Sequence, residues 1–299
     1  MVTRLHTQDG LAPRAGSHLT CRARHRRALP ALLGVVALGF AALQLAAPAL
    51  LYPAALAAFL LGIPHGSVER DPTGPLLRGR ALPPSLFYSG LYIVLAIMVM
   101  ASWLISPWPT LLIALALSAW HFAQSPGEPL GVGVFVVLAC FATFPDATLA
   151  LFSDLTGQPV TAPEAWLRAL GMVGIGALWL SPGWRRDWAA RLVLTAAFLV
   201  IHPVAAVATY FLVWHSLGET AALLDQRRPG EPGWRTVLRT YAPTSLPALI
   251  AATGLLVLTW QGVVPVPLAA GLAVAFIVPH MLPVERLLRQ QREPSQTQG

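Results

Sequence analysis

Four histidines each close an apolar run in this chain: His65 in FLLGIPHGSVERD, His121 in ALSAWHFAQ, His215 in YFLVWHSLGE and His280 in FIVPHMLPVE. An ionisable side chain inside an apolar segment is costly, so the default expectation is that it faces an interior site and acts there. Neutral imidazole suits zinc, copper, iron and nickel, and a redox metal surrounded by hydrocarbon suits oxidation of a lipid-soluble substrate. Any one of these histidines reads equally well as an interfacial, hydrogen-bonded residue; the set of four is what points to a metal. Carboxylates stand nearby, with Glu69 four residues after His65, Glu219 four after His215 and Glu285 five after His280. Positions i and i+4 share a helix face. Glu69 and Glu219 therefore either orient a ligand imidazole or bind metal directly, or are solvated where their helices leave the apolar region. Trp120, Phe122, Tyr210 and Trp214 flank the histidines, as an interfacial aromatic belt would and as the wall of a polyene channel would.

Other chemistries lack their residues. There is no lysine among the 20 basic side chains, so neither a retinal Schiff base nor a pyridoxal aldimine can form on the chain. No H-E-x-x-H, no His-x-x-His-His box, no C-x-x-C-H and no Walker loop occurs. Cys21 and Cys140 are too far apart in kind and setting to read as a bridge or metal cluster. The net charge of +7 is carried by arginines beside apolar runs, where membrane orientation explains it, and nucleic acid is not an expected partner. His202, next to Pro203, reads as structural, and His6, His18 and His25 belong to a basic leader.

The elements that must hold these residues follow from composition. A chain of 299 residues that is 56% hydrophobic and 11% charged is an all-α, polytopic helical membrane protein rather than a soluble domain. Its apolar runs are roughly 15 to 22 residues long and lack the alternation of a barrel strand, so helices satisfy the backbone. About ten spans are expected, near 29–46, 49–65, 86–106, 109–123, 129–145, 165–181, 189–201, 203–217, 243–262 and 265–281. A basic, disordered cytoplasmic leader (1–28) precedes the membrane domain (29–285), and a basic cytoplasmic tail (286–299) follows it. The stretch 189–217 is expected to be two spans hinged at His202-Pro203. That division keeps the arginines around 70–80, 185–191, 227–239 and 286–292 on the cytoplasmic side with both termini, and the acidic loop with Asp146, Asp154 and Glu164 outside. It also puts His65, His121, His215 and His280 at one depth, near the cytoplasmic edge of an inner, plasma membrane.

In order and approximate spacing, GIPHGSVE, WHFAQ, YFLVWHS and VPHM resemble the motifs of the Brp/Blh family of membrane β-carotene 15,15'-dioxygenases, which supply retinal to rhodopsins. The resemblance covers about residues 30 to 285. It implies a non-haem Fe(II) oxygenase that adds O2 across the central double bond of β-carotene and yields retinal, with His65, His121 and His215 as metal ligands. Two positions depart from the family pattern. Glu69 stands where the first motif has Asp, and Glu219 stands where the third motif, His-Ser-x-x-His, has its second histidine. Either Glu219 ligates in its place or His280 completes a four-histidine set, both acceptable to Fe(II); alternatively the altered site takes another carotenoid. Two other readings compete with the oxygenase: a transporter or assembly protein lined by histidines, and a b-type haem electron carrier.

Overall fold

The computed structural model describes residues 20–63, 84–123, 129–225 and 232–281. Leu-, Ala- and Val-rich runs without alternation close their own backbone hydrogen bonds, and every regular element among the described residues is helical. In chain order these are α1 (Cys21–Ala46), α2 (Leu51–Gly62), α3 (Pro84–Ile105), α4 (Pro107–Phe122), α5 (Leu130–Leu138), the one-turn α6 (Cys140–Thr143), α7 (Pro145–Thr156), α8 (Glu164–Leu180), α9 (Trp184–Val200) and α10 (Pro203–Thr209). A π-helical segment (Tyr210–Ser216) then leads into α11 (Leu217–Asp225), followed by α12 (Gly233–Trp260) and α13 (Val266–Met281).

Proline sets several boundaries. Pro107, Pro145 and Pro203 each stand in the first turn of a helix, where the missing N–H has no intrahelical partner to lose. At Ile201 the backbone becomes extended (φ −102°, ψ 154°). His202 then caps α10, its Nδ1 accepting from the Val204 N–H at 3.4 Å while its own N–H donates to Gln44 Oε1 at 2.7 Å. The stretch 189–217 is thus two helices hinged at His202-Pro203. Gly183, at φ +80°, makes the left-handed turn between α8 and α9.

Several features differ from the sequence expectation, among them α12, which begins at Gly233 rather than 243, and α9, which begins at Trp184 rather than 189. Helix α1 begins at Cys21 rather than 29, because Thr20 Oγ1 accepts from the Ala23 N–H and the Asp225 carboxylate accepts from the N–H groups of Cys21 (2.5 Å) and Arg22 (3.0 Å). Residues 21–28 therefore belong to this helix and not to a disordered leader. Asp146 and Asp154 lie on α7 rather than in a loop, the chain bending by 114° between Leu130–Thr143 and Pro145–Thr156. Arg191, expected in a solvated loop, is buried. Its Nη1 donates to Leu178 O (2.5 Å) and to the carbonyl and hydroxyl oxygens of Ser181, and its Nη2 donates to Pro182 O. It thereby satisfies carbonyls that the end of α8 leaves open.

Among the described residues one helix, Cys21–Ala46, is long and apolar enough to cross a membrane by itself. The bent pair Leu130–Thr143 and Pro145–Thr156 reaches that standard together, and Pro48–Gly62, Gly90–Ile105, Ser245–Trp260 and Val266–Pro279 are shorter apolar helices. The main core lies where α1, α2, α5 and the α9–α10 hinge meet, around Leu33, Ala55, Phe135, Phe198 and Ala206. A second cluster joins Trp103, Leu111, Phe141, Phe152 and Leu167. Helix α13 is tied to α3 by Trp103 Nε1, which donates to Pro267 O at 2.9 Å. Apolar side chains also cover the outside: Leu45, Ile105, Leu180 and Trp260 are 81–87% exposed.

Candidate active site

His121 closes α4. Its position depends on the close approach of α5, where a Cβ at Gly133 would collide with the carbonyl of Ala119. Only a bare Cα lets the two helices meet there. His215 comes from the π-helical segment. Residues five apart on an α-helix point about 140° away from each other, but i→i+5 bonding stacks them one above the other. The Tyr210 ring accordingly stacks on the His215 ring (6.4 Å between centroids, 17° between planes), with Phe211 tilted against it at 5.9 Å. Phe122 meets the same imidazole edge-on at 5.0 Å and Tyr210 at 5.2 Å.

The two imidazoles are neighbours, with centroids 5.5 Å apart and planes at 70°. Both are buried, His215 2% and His121 7% exposed. Two further contacts bring the ends of α2 and α13 towards them. The buried hydroxyl of Ser216 donates to Gly62 O at 3.1 Å, and Gly62 ends α2 three residues before His65. A Cβ at Gly62 would strike the Phe211 ring, so glycine is what seats the end of α2 on the π segment. On the other side the Ser118 hydroxyl, one turn before His121, donates to Ala114 O at 2.8 Å and lies 3.5 Å from Met281 Sδ, and Met281 follows His280 at the end of α13. His65 and Glu69 lie outside the described residues; His280 is described as a residue of α13.

Glu219 stands elsewhere. It lines a cavity of about 30 Å³ shared with Arg22, His25, Arg26 and Arg191. No three His, Cys, Asp or Glu among the described residues are grouped to hold a metal ion, so Glu219 does not make a third with His121 and His215. The four aromatic side chains separate in the same way. Phe122 and Tyr210 touch His215, Trp214 is buried and lines the cavity with Glu219, and Trp120 is 39% exposed on the outside of α4. Sequence reasoning missed Phe211, Gly62 and Ser216. Phe211 precedes His215 by four residues, a shared face on an ordinary helix, whereas Tyr210, five residues before, is readable only if a π register is allowed.

The family model described as Beta-carotene 15,15'-dioxygenase matches residues 56–288, which takes in all four histidines. The chain belongs to the β-carotene 15,15'-dioxygenase family. It is similar to the Halobacterium salinarum protein described as "Probable beta-carotene 15,15'-dioxygenase Blh", 29% identical over 341 residues that cover 94% of this chain and 99% of that one. No solved structure matches it. In this member of the β-carotene 15,15'-dioxygenase family, the buried pair His121 and His215 forms the described part of the candidate site, and the position that departs from the third motif, Glu219, faces arginines.

Proposed function

We propose that this protein is a membrane-embedded, non-haem iron oxygenase that cleaves the central 15,15' double bond of β-carotene or a related carotenoid with O2, giving two retinal-type aldehydes. The observation that carries the reading is the pair of adjacent, buried imidazoles walled by aromatic rings inside a chain of the β-carotene 15,15'-dioxygenase family. Two buried imidazoles walled by aromatic rings are a donor set that fits Fe(II). His65, His121 and His215 would hold the ion, and His280 would complete the set, since α13 ends against α4 within a turn of His121 while Glu219 faces the arginine cavity. Bound there, iron supplies the activation of O2. Phe122, Tyr210 and Phe211 exclude water and offer flat faces to a polyene, and the Ser216 to Gly62 hydrogen bond holds the end of α2 in register with His215.

Embedding in lipid is supported by the apolar exterior and by the length of α1. The family assignment and the arginine pattern support multi-pass insertion in the inner membrane with both termini cytoplasmic. A Cβ at Gly218 would come into contact with His25, and His215 stands three residues before it, which supports an imidazole pair near the arginine-bearing start of α1. A carotenoid reaches such a site tilted, from the side, and its aldehyde products leave into lipid, where a rhodopsin could take them up. The edge-to-face contact of His121 and His215 leaves no room for a porphyrin between them, which disfavours a bis-histidine haem.

The test is expression in a bacterium that accumulates β-carotene, followed by extraction and chromatography. Retinal is expected in place of carotene. Unchanged carotene, with the protein in the membrane and iron supplied, would overturn the proposal.

A further inference from the structure

A histidine's second side-chain torsion is broad and roughly two-fold, so the backbone alone leaves the plane of the imidazole open. A metal ligand needs that plane settled to within about 10–20°. The usual device is a hydrogen bond from the other ring nitrogen to a carboxylate or carbonyl, worth about 10–100-fold in metal affinity. At His215 the carboxylate one turn on, Glu219, lines the cavity with the arginines of α1. Aromatic rings close on the imidazole from several sides. Tyr210, 0% exposed, lies nearly parallel to it with 17° between planes at 6.4 Å, an offset stack. Phe211 is tilted against it by 32° at 5.9 Å, and Phe122 meets it edge-on at 5.0 Å.

The π-helical segment explains how two of these rings come from the helix that carries the histidine itself. An ordinary helix turns Phe211, four residues before His215, to the same face and leaves Tyr210, five before, about 140° away. Between Tyr210 and Ser216 the i→i+5 register brings Tyr210 over the imidazole while Phe211 stays beside it. Such segments are rare and are often found at functional sites. Tyr210 is itself clamped, its ring edge-on to Phe122 at 5.2 Å and tilted by 31° against Trp214 at 6.3 Å. We propose that Tyr210 is a positioning residue, whose ring sets the plane of the His215 imidazole and so aims its nitrogen at an ion shared with His121. The inference rests on the reading of His121 and His215 as metal ligands and adds the residue that orients one of them. Each contact named here is made by the ring, so phenylalanine is the rescuing substitution and an aliphatic side chain the disabling one.

The experiment uses the full chain purified in neutral detergent, stripped of metal and titrated with Co(II), whose visible absorption reports the geometry of its ligands. Tyr210→Leu is expected to weaken Co(II) binding about 10–100-fold and to shift or broaden the visible band, whereas Tyr210→Phe should match wild type in both. Tyr210→Met keeps much of the volume without the flat face and takes the place of the leucine variant if that one fails to fold. Phe198→Leu is the control for packing, because it removes a fully buried ring that lies against Phe135 at 4.7 Å; it should lower the metal-free thermal midpoint and leave the cobalt band and affinity as they are. A wild-type band and affinity in the aliphatic variant, the same loss in Tyr210→Phe, or an equal change in Phe198→Leu overturns the proposal. Wild type that binds cobalt and leaves carotene unchanged would overturn the oxygenase reading alone; wild type that binds no cobalt overturns both.

Discussion

Removing one hydroxyl should loosen the site. Ser216→Ala deletes the buried donor that reaches Gly62 O across 3.1 Å at the end of α2. Losing that hydrogen bond costs about 0.5–1.5 kcal/mol. Gly62→Ala attacks the same junction from the other side, pushing a methyl group into the Phe211 ring, at a cost of about 1–3 kcal/mol for overpacking. The two residues share one contact, so the double variant should depart from additivity by about 0.5–3 kcal/mol. Ser216→Thr keeps the hydroxyl and should recover most of the loss. Stability is read by thermal or denaturant unfolding in detergent, and function by iron content and retinal yield. Both should fall in Ser216→Ala, because the segment leading into His65 loses its anchor beside His215. If that variant unfolded like wild type and kept full iron and retinal yield, the junction would have no part in holding the site, and the reasoning would fail.

Other perturbations separate the parts of the site. His121→Ala and His215→Ala should each abolish retinal formation and lower bound iron by metal analysis, and His280→Ala should lower iron if it is the fourth ligand. Phe122→Ala removes a ring that touches both imidazoles and Tyr210; a loss of about 3–5 kcal/mol in unfolding is expected, with retinal yield falling even at temperatures where the variant stays folded. At the far end of the bundle, burial lowers the pKa of His202, whose Nε2 lies 3.4 Å from the Tyr52 hydroxyl. The neutral form is favoured in the folded state, so its contribution is present above the ordinary histidine value of about 6.5 and lost as pH falls through the lowered folded value. The thermal midpoint of wild type should drop over that acid range, and His202→Gln should flatten part of the slope.

Much of the architecture was legible because hydropathy and proline act locally. Pro203 splits 189–217 in two, and Pro145 starts α7 after the bend. That His121 and His215 are neighbours agrees with both ending apolar runs. What the sequence concealed is long-range or out of period. The pairing of His215 with Glu219 assumed a 3.6-residue repeat, but the π segment ends at Ser216, so the two lie on either side of a change in register and Glu219 turns to the arginines of α1. The early start of α1 was hidden for a different reason, since half of its cap is a carboxylate far along the chain.

That carboxylate bears on biosynthesis. Asp225 lies 204 residues after Cys21, so when α1 leaves the ribosome the group that finishes its first turn has not yet been made. Chains emerge N-terminal end first. A helix long and apolar enough to enter a membrane by itself must therefore wait, its arginine end unfastened, until α11 arrives with Asp225 and, ten residues earlier, His215. Fastening of the first helix and delivery of the second imidazole are one late event in synthesis. A chain cut short before residue 225 would keep only the Thr20 half of the cap on α1.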